Sequence, residues 1–260
     1  MLTREQHERA ACILVDADKA HRQATQLSTT FPEITIEDSY LISSLVHTRR
    51  VEAGAKLIGH KIGLTSKAMQ ASSQIEEPDF GYLLDSMLLE DGAKVKFADF
   101  CVPRVELELA FVLSKPLAGP GIGLLDVLRA TEYVVPSIEI IDARVLNPRR
   151  ITDTVADNGA AAGIVIGGRP VGPAEVDLRW VGGIMYRNGE IEETGLAAGV
   201  LGHPARAIAW LANKVGRFGT VLQPGHIMLS GSFIRPVFAQ KGDTLQGDFG
   251  PLGSVAVQFV

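Results

Sequence analysis

Residues 102–114 read VPRVELELAFVLS, and their alternation governs how the rest of the chain is understood. Val105, Leu107, Leu109, Phe111 and Leu113 fall on one parity, and Arg104, Glu106 and Glu108 on the other. Strand side chains repeat every two residues, so the apolar set marks a core-facing surface and both carboxylates project from the opposite face. A second β-branched run, 134–141 (VVPSIEII), carries Glu139 between Ile138 and Ile140. Two readings stay open here. Paired glutamates on one strand face suit a solvated antiparallel sheet. Three carboxylates converging from strands suit a hard divalent cation, Mg²⁺ or Mn²⁺, because anions buried side by side need a counter-charge.

Outward from this stretch the pattern divides. The N-terminal side reads as helical: 3–26 places Ala10, Ile13, Leu14 and Ala17 at helical spacing. Thr35 followed by Asp38 is a weak capping box opening a helix to about 52, with Gly54 as its stop. From residue 56 strands dominate, at 56–63, 102–114, 133–142, 162–167, 177–187, 190–194, 226–230, 244–248 and 254–260. Asn188-Gly189 is a hairpin turn signal. Ser66 opens one or two helical turns, and the stretch on to Gly92 is irregular. One later helix starts at Pro204 and stops at Gly216. Strands without regularly interleaved helices predict an α+β fold, with a helical part at 1–55 and a mainly β body at 56–260.

A net charge of −5 over 260 residues argues against nucleic-acid binding, which rests on basic patches. No apolar run approaches the roughly 20 residues a membrane helix needs, and the polar N-terminus is no secretory signal. A cytoplasmic protein with no membrane partner is expected. Cys12 and Cys101 form no metal-ligand pattern and are expected as buried or partly buried thiols. No Gly-x-Ser-x-Gly elbow and no zinc-type His/Cys set is present.

The candidate chemistry centres on GHKIGLTS (59–66). Lys61 in a partly apolar strand has two readings: its side chain reaches out to solvent, the commoner case for lysine, or it loses solvation, which lowers its pKa toward the range useful for proton transfer. His60 is either a second titratable participant or a hydrogen-bonded structural residue. Leu64 and Thr65 follow as candidate substrate contacts. Asp79, in a Pro-Asp-x-Gly stretch, reads as a turn residue or as a general base on a loop. Asn158 sits in a turn and offers an amide to a ligand. Ser232 offers a hydroxyl, with neighbouring N–H groups, to a carboxylate.

Six stretches taken together resemble the fumarylacetoacetate hydrolase superfamily, in its hydratase and decarboxylase branch of aromatic meta-cleavage. They are FPEITIEDSY (31–40), GHKIGLTSKAMQASSQIEEPDFG (59–81), VPRVELELAFVL (102–113), IEIIDAR (138–144), DLRWVGGIMYRNGEIEETGLAAGVLGHPA (177–205) and GDTLQGDFGPLGSV (242–255). The resemblance implies a mixed β-sheet roll or sandwich carrying a metal triad of Glu106, Glu108 and Glu139, with Lys61 and a loop aspartate, Asp79, as catalytic groups. It implies Mg²⁺ or Mn²⁺ as cofactor and a homo-oligomer built from dimers, a decamer among the options. The implied reaction is hydration of a small-molecule 2-oxo-enedioate after its double bond moves into conjugation. Shorter 2-oxo-enoate hydration, 4-oxalocrotonate decarboxylation or a non-catalytic partner subunit are the alternatives. His60 stands where the related decarboxylases tend to carry Leu, which favours hydration. The short lid stretch at 66–72 lacks the His-Glu dyad of the superfamily's C–C hydrolases. Arg104, His60 and Lys67 are candidates for a distal substrate carboxylate.

Overall fold

The computed structural model describes residues 1–67, 70–71 and 77–260, and the helical turns expected at 66–72 fall partly outside them. The alternating stretch at 102–114 forms an 11-residue strand of a mixed sheet. Its strands, in chain order, are β1 (Leu57–Gly63), β2 (Asp79–Leu84), β3 (Leu88–Leu89), β5 (Pro103–Leu113), β6 (Thr131–Asp142), β7 (Ala161–Ile166), β10 (Ile227–Leu229) and β11 (Val237–Phe238). They lie in the order β2-β1-β10-β5-β6-β7-β3, with β11 paired to β5. A second sheet takes β4 (Ala93–Val95), β8 (Gly182–Arg187), β9 (Glu190–Leu196), β12 (Thr244–Asp248) and β13 (Ser254–Phe259), ordered β4-β13-β12-β8-β9. The fold is α+β, with two mixed sheets closing on one core.

That core is filled by the apolar parity of β5. Val105, Leu107, Leu109 and Phe111 are fully buried, in one cluster with Met185, Leu245, Val257 and Phe259 of the second sheet. The sheets come close where Leu107 lies over Gly247. A β-carbon there would sit 2.4 Å from Leu107 Cδ2. The opposite face of β5 is also covered: Ala110 and Val112 join a second cluster with Val135, Ile164 and Leu229. The solvated-sheet reading of 102–114 is therefore overturned, because both faces of this strand are inside the molecule.

Helices α1 (Arg4–Ala20), α2 (Leu27–Thr30) and α3 (Ile36–Glu52) precede the sheets, and α4 (Leu124–Ala130), α5 (Ile151–Ala156) and α6 (Ala205–Gly216) interrupt them. The capping box at Thr35 forms as expected. Helix α1 stops at Ala20, short of the expected 26. His21 turns left-handed (φ 49°) and caps it, after which Ala24 bridges to Val145. The strand expected at 177–187 begins only at Gly182, because Asp177 caps a short 3₁₀ turn. Cys12 is exposed rather than buried. Among the described residues no helix is long and apolar enough to cross a membrane.

Strand β2 is absent from the sequence reading, yet it positions the site. Its partner is β1, with Gly63 opposite Asp79, Lys61 opposite Gly81 and His60 opposite Tyr82. Asp79 is thus a strand residue and not a loop residue. Residues facing each other across antiparallel strands share a face, so Lys61, Gly63, Asp79 and Gly81 line one side of the sheet. The register through β10 (Lys61 opposite Leu229, Leu229 opposite Ala110) carries that side on to Glu108 and Glu106.

Candidate metal centre

Glu106 on β5 faces Glu139 on β6, and Glu108 faces Ser137. Period two keeps Glu106 and Glu108 on one face, and the register sets Glu139 beside both. One carboxylate oxygen from each lies within 4.8 Å of the others. Glu108 and Glu139 are fully buried. Burial pushes Glu108 well above the ordinary carboxylate range, with Glu139 and Glu106 adding to it. Burial likewise lifts Glu139 to about 7 against the opposing charge of Lys61.

Whether these residues fit a cation is tested by their oxygens. The Gly231 N–H donates to Glu108 Oε2 at 2.7 Å. Among the described residues Glu108 Oε1 and both oxygens of Glu139 have no hydrogen-bond donor although buried. Buried carboxylate oxygens normally have partners. Three glutamates, two of them with buried oxygens lacking a donor, form an all-oxygen donor set that fits a hard divalent cation such as Mg²⁺ or Mn²⁺. Gly231 makes the close approach feasible, since its φ is +103° and a β-carbon there would strike Thr65 Oγ1 at 2.2 Å.

Lys61 stands beside the triad and is only 4% exposed. Its Nζ lies 3.5 Å from Glu139 Oε1 and donates to the Gly159 carbonyl at 3.1 Å. Burial pulls its pKa down, but Glu139, Asp79, Glu106 and Glu108 outweigh burial and hold it above the ordinary lysine value. The expectation of a lowered pKa from desolvation alone is reversed, because four acids share its face. Asp79 comes within reach because Gly63 has no side chain. A β-carbon there would lie 2.2 Å from Asp79 Oδ1 and 3.3 Å from Lys61 Nζ. Asp79 Oδ1 is buried and without a partner among the described residues, and burial raises its pKa against the pull of Lys61.

A cavity of about 550 Å³ opens over this face. Lys61, Leu64, Thr65, Asp79, Arg104, Glu106, Glu108 and Ser232 all line it. Four of the residues expected there do not: Glu139, which is fully buried, Lys67, which is exposed, and His60 and Asn158. His60 neighbours Lys61, so the strand turns its ring to the other side, against Tyr82 (centroids 5.5 Å) and Phe80 (6.3 Å). Burial there, with His226 and His47 nearby, holds its pKa down to about 3. Asn158 spends its amide on β2, accepting from the Tyr82 N–H at 2.7 Å and donating to the Tyr82 carbonyl at 3.0 Å. Ser232 lines the cavity, but its hydroxyl donates to the Ile234 carbonyl at 2.9 Å. The cavity also holds Arg149 and Glu193, which the sequence reading missed. Arg149 sits in an Arg-Arg pair after Pro148, a pattern that reads as an ordinary exposed loop.

A model of the fumarylacetoacetate hydrolase C-terminal family matches residues 48–260. The chain is 52% identical to 2-oxo-hept-4-ene-1,7-dioate hydratase of Escherichia coli, across 100% of both sequences. It is 43% identical to 2-hydroxyhexa-2,4-dienoate hydratase of Comamonas testosteroni, across 95% of this chain and 94% of the relative. Among solved structures, 4-oxalocrotonate decarboxylase from Pseudomonas putida G7, complexed with magnesium and adipate, superimposes with a TM-score of 0.97. That match has 36% identity and covers 100% of this chain and 99% of the other.

Proposed function

The chain belongs to the fumarylacetoacetate hydrolase C-terminal family, and from that premise we propose that it is a metal-dependent hydro-lyase acting on 2-oxo-hept-4-ene-1,7-dioate. The product is 4-hydroxy-2-oxoheptanedioate. The observation that carries this reading is the glutamate triad, with Glu108 and Glu139 fully buried and holding oxygens without a donor among the described residues, set beside Lys61 and Asp79. Full-length identity of 52% to a hydratase of that substrate supports the choice within the family.

Glu106, Glu108 and Glu139 would hold Mg²⁺ or Mn²⁺. When bound, such an ion supplies two positive charges that offset the triad and act as a Lewis acid toward a 2-oxo acid. The chain's own groups move the protons. The Asp79 carboxylate, which lines the cavity with Oδ1 unpartnered among the described residues, takes a proton from C3 of the 2-oxo-4-ene. The same proton returns at C5, so the double bond shifts from C4–C5 to C3–C4, in conjugation with the ketone. Lys61, held by the Gly159 carbonyl, keeps a positive charge beside Asp79 and the oxygen at C2 while that proton is in transit. Water then adds its oxygen to C4 and a proton to C3, which balances the equation as substrate plus one H₂O.

A second reading has its own support in the 0.97 superposition on a decarboxylase. Purified protein with Mg²⁺ separates the two. Hydration predicts loss of the dienol absorbance of the seven-carbon substrate and no CO₂. Faster CO₂ release from 4-oxalocrotonate than hydration of the seven-carbon dioate would overturn the assignment. A homo-oligomer is also proposed, supported by large apolar side chains left exposed on the single chain, Phe218 at 81% and Trp180 at 70%. Light scattering giving a mass of one chain would refute it.

A further inference from the structure

Two guanidiniums face the cavity without a carboxylate of their own. Arg104 lies on the glutamate side of β5, two residues from Glu106, with its guanidinium 5.4 Å above the Phe238 ring. Arg149 is half-buried on the loop before α5. Among the described residues neither forms an ion pair. Arg235, also in the lining, is 83% exposed at its side chain and already holds Glu193 at 2.7 Å. Like charges crowded in a partly buried space repel unless an anion joins them. Burial and the charge of Arg104 both push Arg149 below the ordinary arginine value.

The spacing fits a substrate with two acidic ends. A strand advances about 3.4 Å per residue, which puts the Arg104 position about 7 Å along β5 from Glu106. Three bonds of an extended chain span about 3.5 Å, so the six carbon–carbon bonds of a seven-carbon dioate span about 7 Å. We propose that Arg104 and Arg149 form the receptor for the distal carboxylate of a dicarboxylic substrate, and that Arg149 sets the preference for dioates over monocarboxylic analogues. This rests on reading the glutamate triad as the end that takes the 2-oxo acid. Arginine suits the role because its planar fork meets a carboxylate through two hydrogen bonds.

Calorimetry of the whole protein with Mg²⁺ tests this without turnover, using 2-oxoheptanedioate and 2-oxoheptanoate, which differ only in the distal carboxylate. The wild type is expected to bind the dioate at least about tenfold more tightly, as a charge-assisted hydrogen-bonded pair would give. In Arg149→Met that ratio should collapse toward one, and in Arg149→Lys, which keeps charge but loses the fork, it should be intermediate. Equal binding of the two ligands by the wild type, or an undiminished ratio in Arg149→Met, would overturn the proposal. A protein that prefers the dioate but adds no water would sink the hydratase reading and uphold this one. A protein that hydrates both chain types with no preference would do the reverse.

Discussion

Two sets of buried acids in this molecule are handled in opposite ways. Asp38, fully buried, accepts from Leu2 N (3.0 Å), His7 Nε2 (2.7 Å), Thr35 N (3.0 Å) and Thr35 Oγ1 (3.0 Å). Asp153, also fully buried, accepts from Ser28 N (2.8 Å), Ser28 Oγ (2.7 Å) and Arg150 N (2.8 Å), which ties the N-terminal helices to α5. Asp157 is held by the Arg144 guanidinium and backbone. Among the described residues the three triad acids accept one hydrogen bond, from Gly231 N to Glu108, with the ammonium of Lys61 3.5 Å from Glu139. Burial costs both sets the same hydration. Asp38 recovers it through its hydrogen bonds, Asp157 only in part, since burial still lifts it to about 6 against Arg144, and the glutamates leave it to something that binds. Saturated acids are structural here, and unsaturated ones mark the site.

Substitution sharpens or breaks that contrast. Glu108→Gln or Glu139→Gln should lower Mg²⁺-dependent turnover by at least about a thousandfold, since metal charge stabilisation is worth several kcal/mol. The metal-free variants should melt no lower than wild type, and Mg²⁺ should raise the melting temperature of wild type alone. A glutamine variant that melts well below wild type would erase the distinction. Lys61→Ala should cut kcat by about 10²–10³-fold, the range for losing one group that stabilises a developing oxyanion, with little change in KM. Unchanged turnover would remove Lys61 from the chemistry.

Asp153→Ala should act in the other sense. It leaves Ser28 and Arg150 donors unpaired, so chemical denaturation should show a loss of about 2–4 kcal/mol while folded enzyme stays active. Asp38 gives the same test through pH. Its hydrogen bonds hold its pKa near 2 despite opposing burial, below the usual 3.8. A depressed folded-state pKa contributes stability above pH 4 and loses it as the pH falls toward 2. The melting-temperature gap between wild type and Asp38→Asn should therefore narrow across that window, and a constant gap would exclude the assignment. His60→Leu is expected to have the smallest effect, less than about fivefold on kcat, because the ring packs behind the reacting face. A larger drop without loss of stability would return His60 to the mechanism.

Much of this was legible in the chain. The alternation at 102–114 gave β5 and put Glu106 and Glu108 on one side. Thr35 and Asp38 gave the start of α3. Asn188-Gly189 gave the turn between β8 and β9, where Asn188 is left-handed (φ 54°). Strand β2 was hidden because DFGYLL carries a glycine and follows a Pro-Asp turn signal, and it exists through pairing with β1. His60 and Lys61 are neighbours with similar local signals, and which of them enters the cavity depends on which face of β1 is covered. Arg149 and Gly63 carry no pattern at all, since one acts through reach across the cavity and the other through the room it leaves.

The sequence by itself determined the periodicities: where strands and helices would run, which side chains share a face, and that acids would sit among β-branched residues. Those follow from local geometry, which each segment carries alone. Only the tertiary structure decided that the acid face was roofed rather than wet, that Glu139 would stand opposite Glu106, and that Lys61 would meet four carboxylates. These depend on inter-strand register and on distant loops closing over the sheet, and no local signal encodes the energy of charges brought together only by folding.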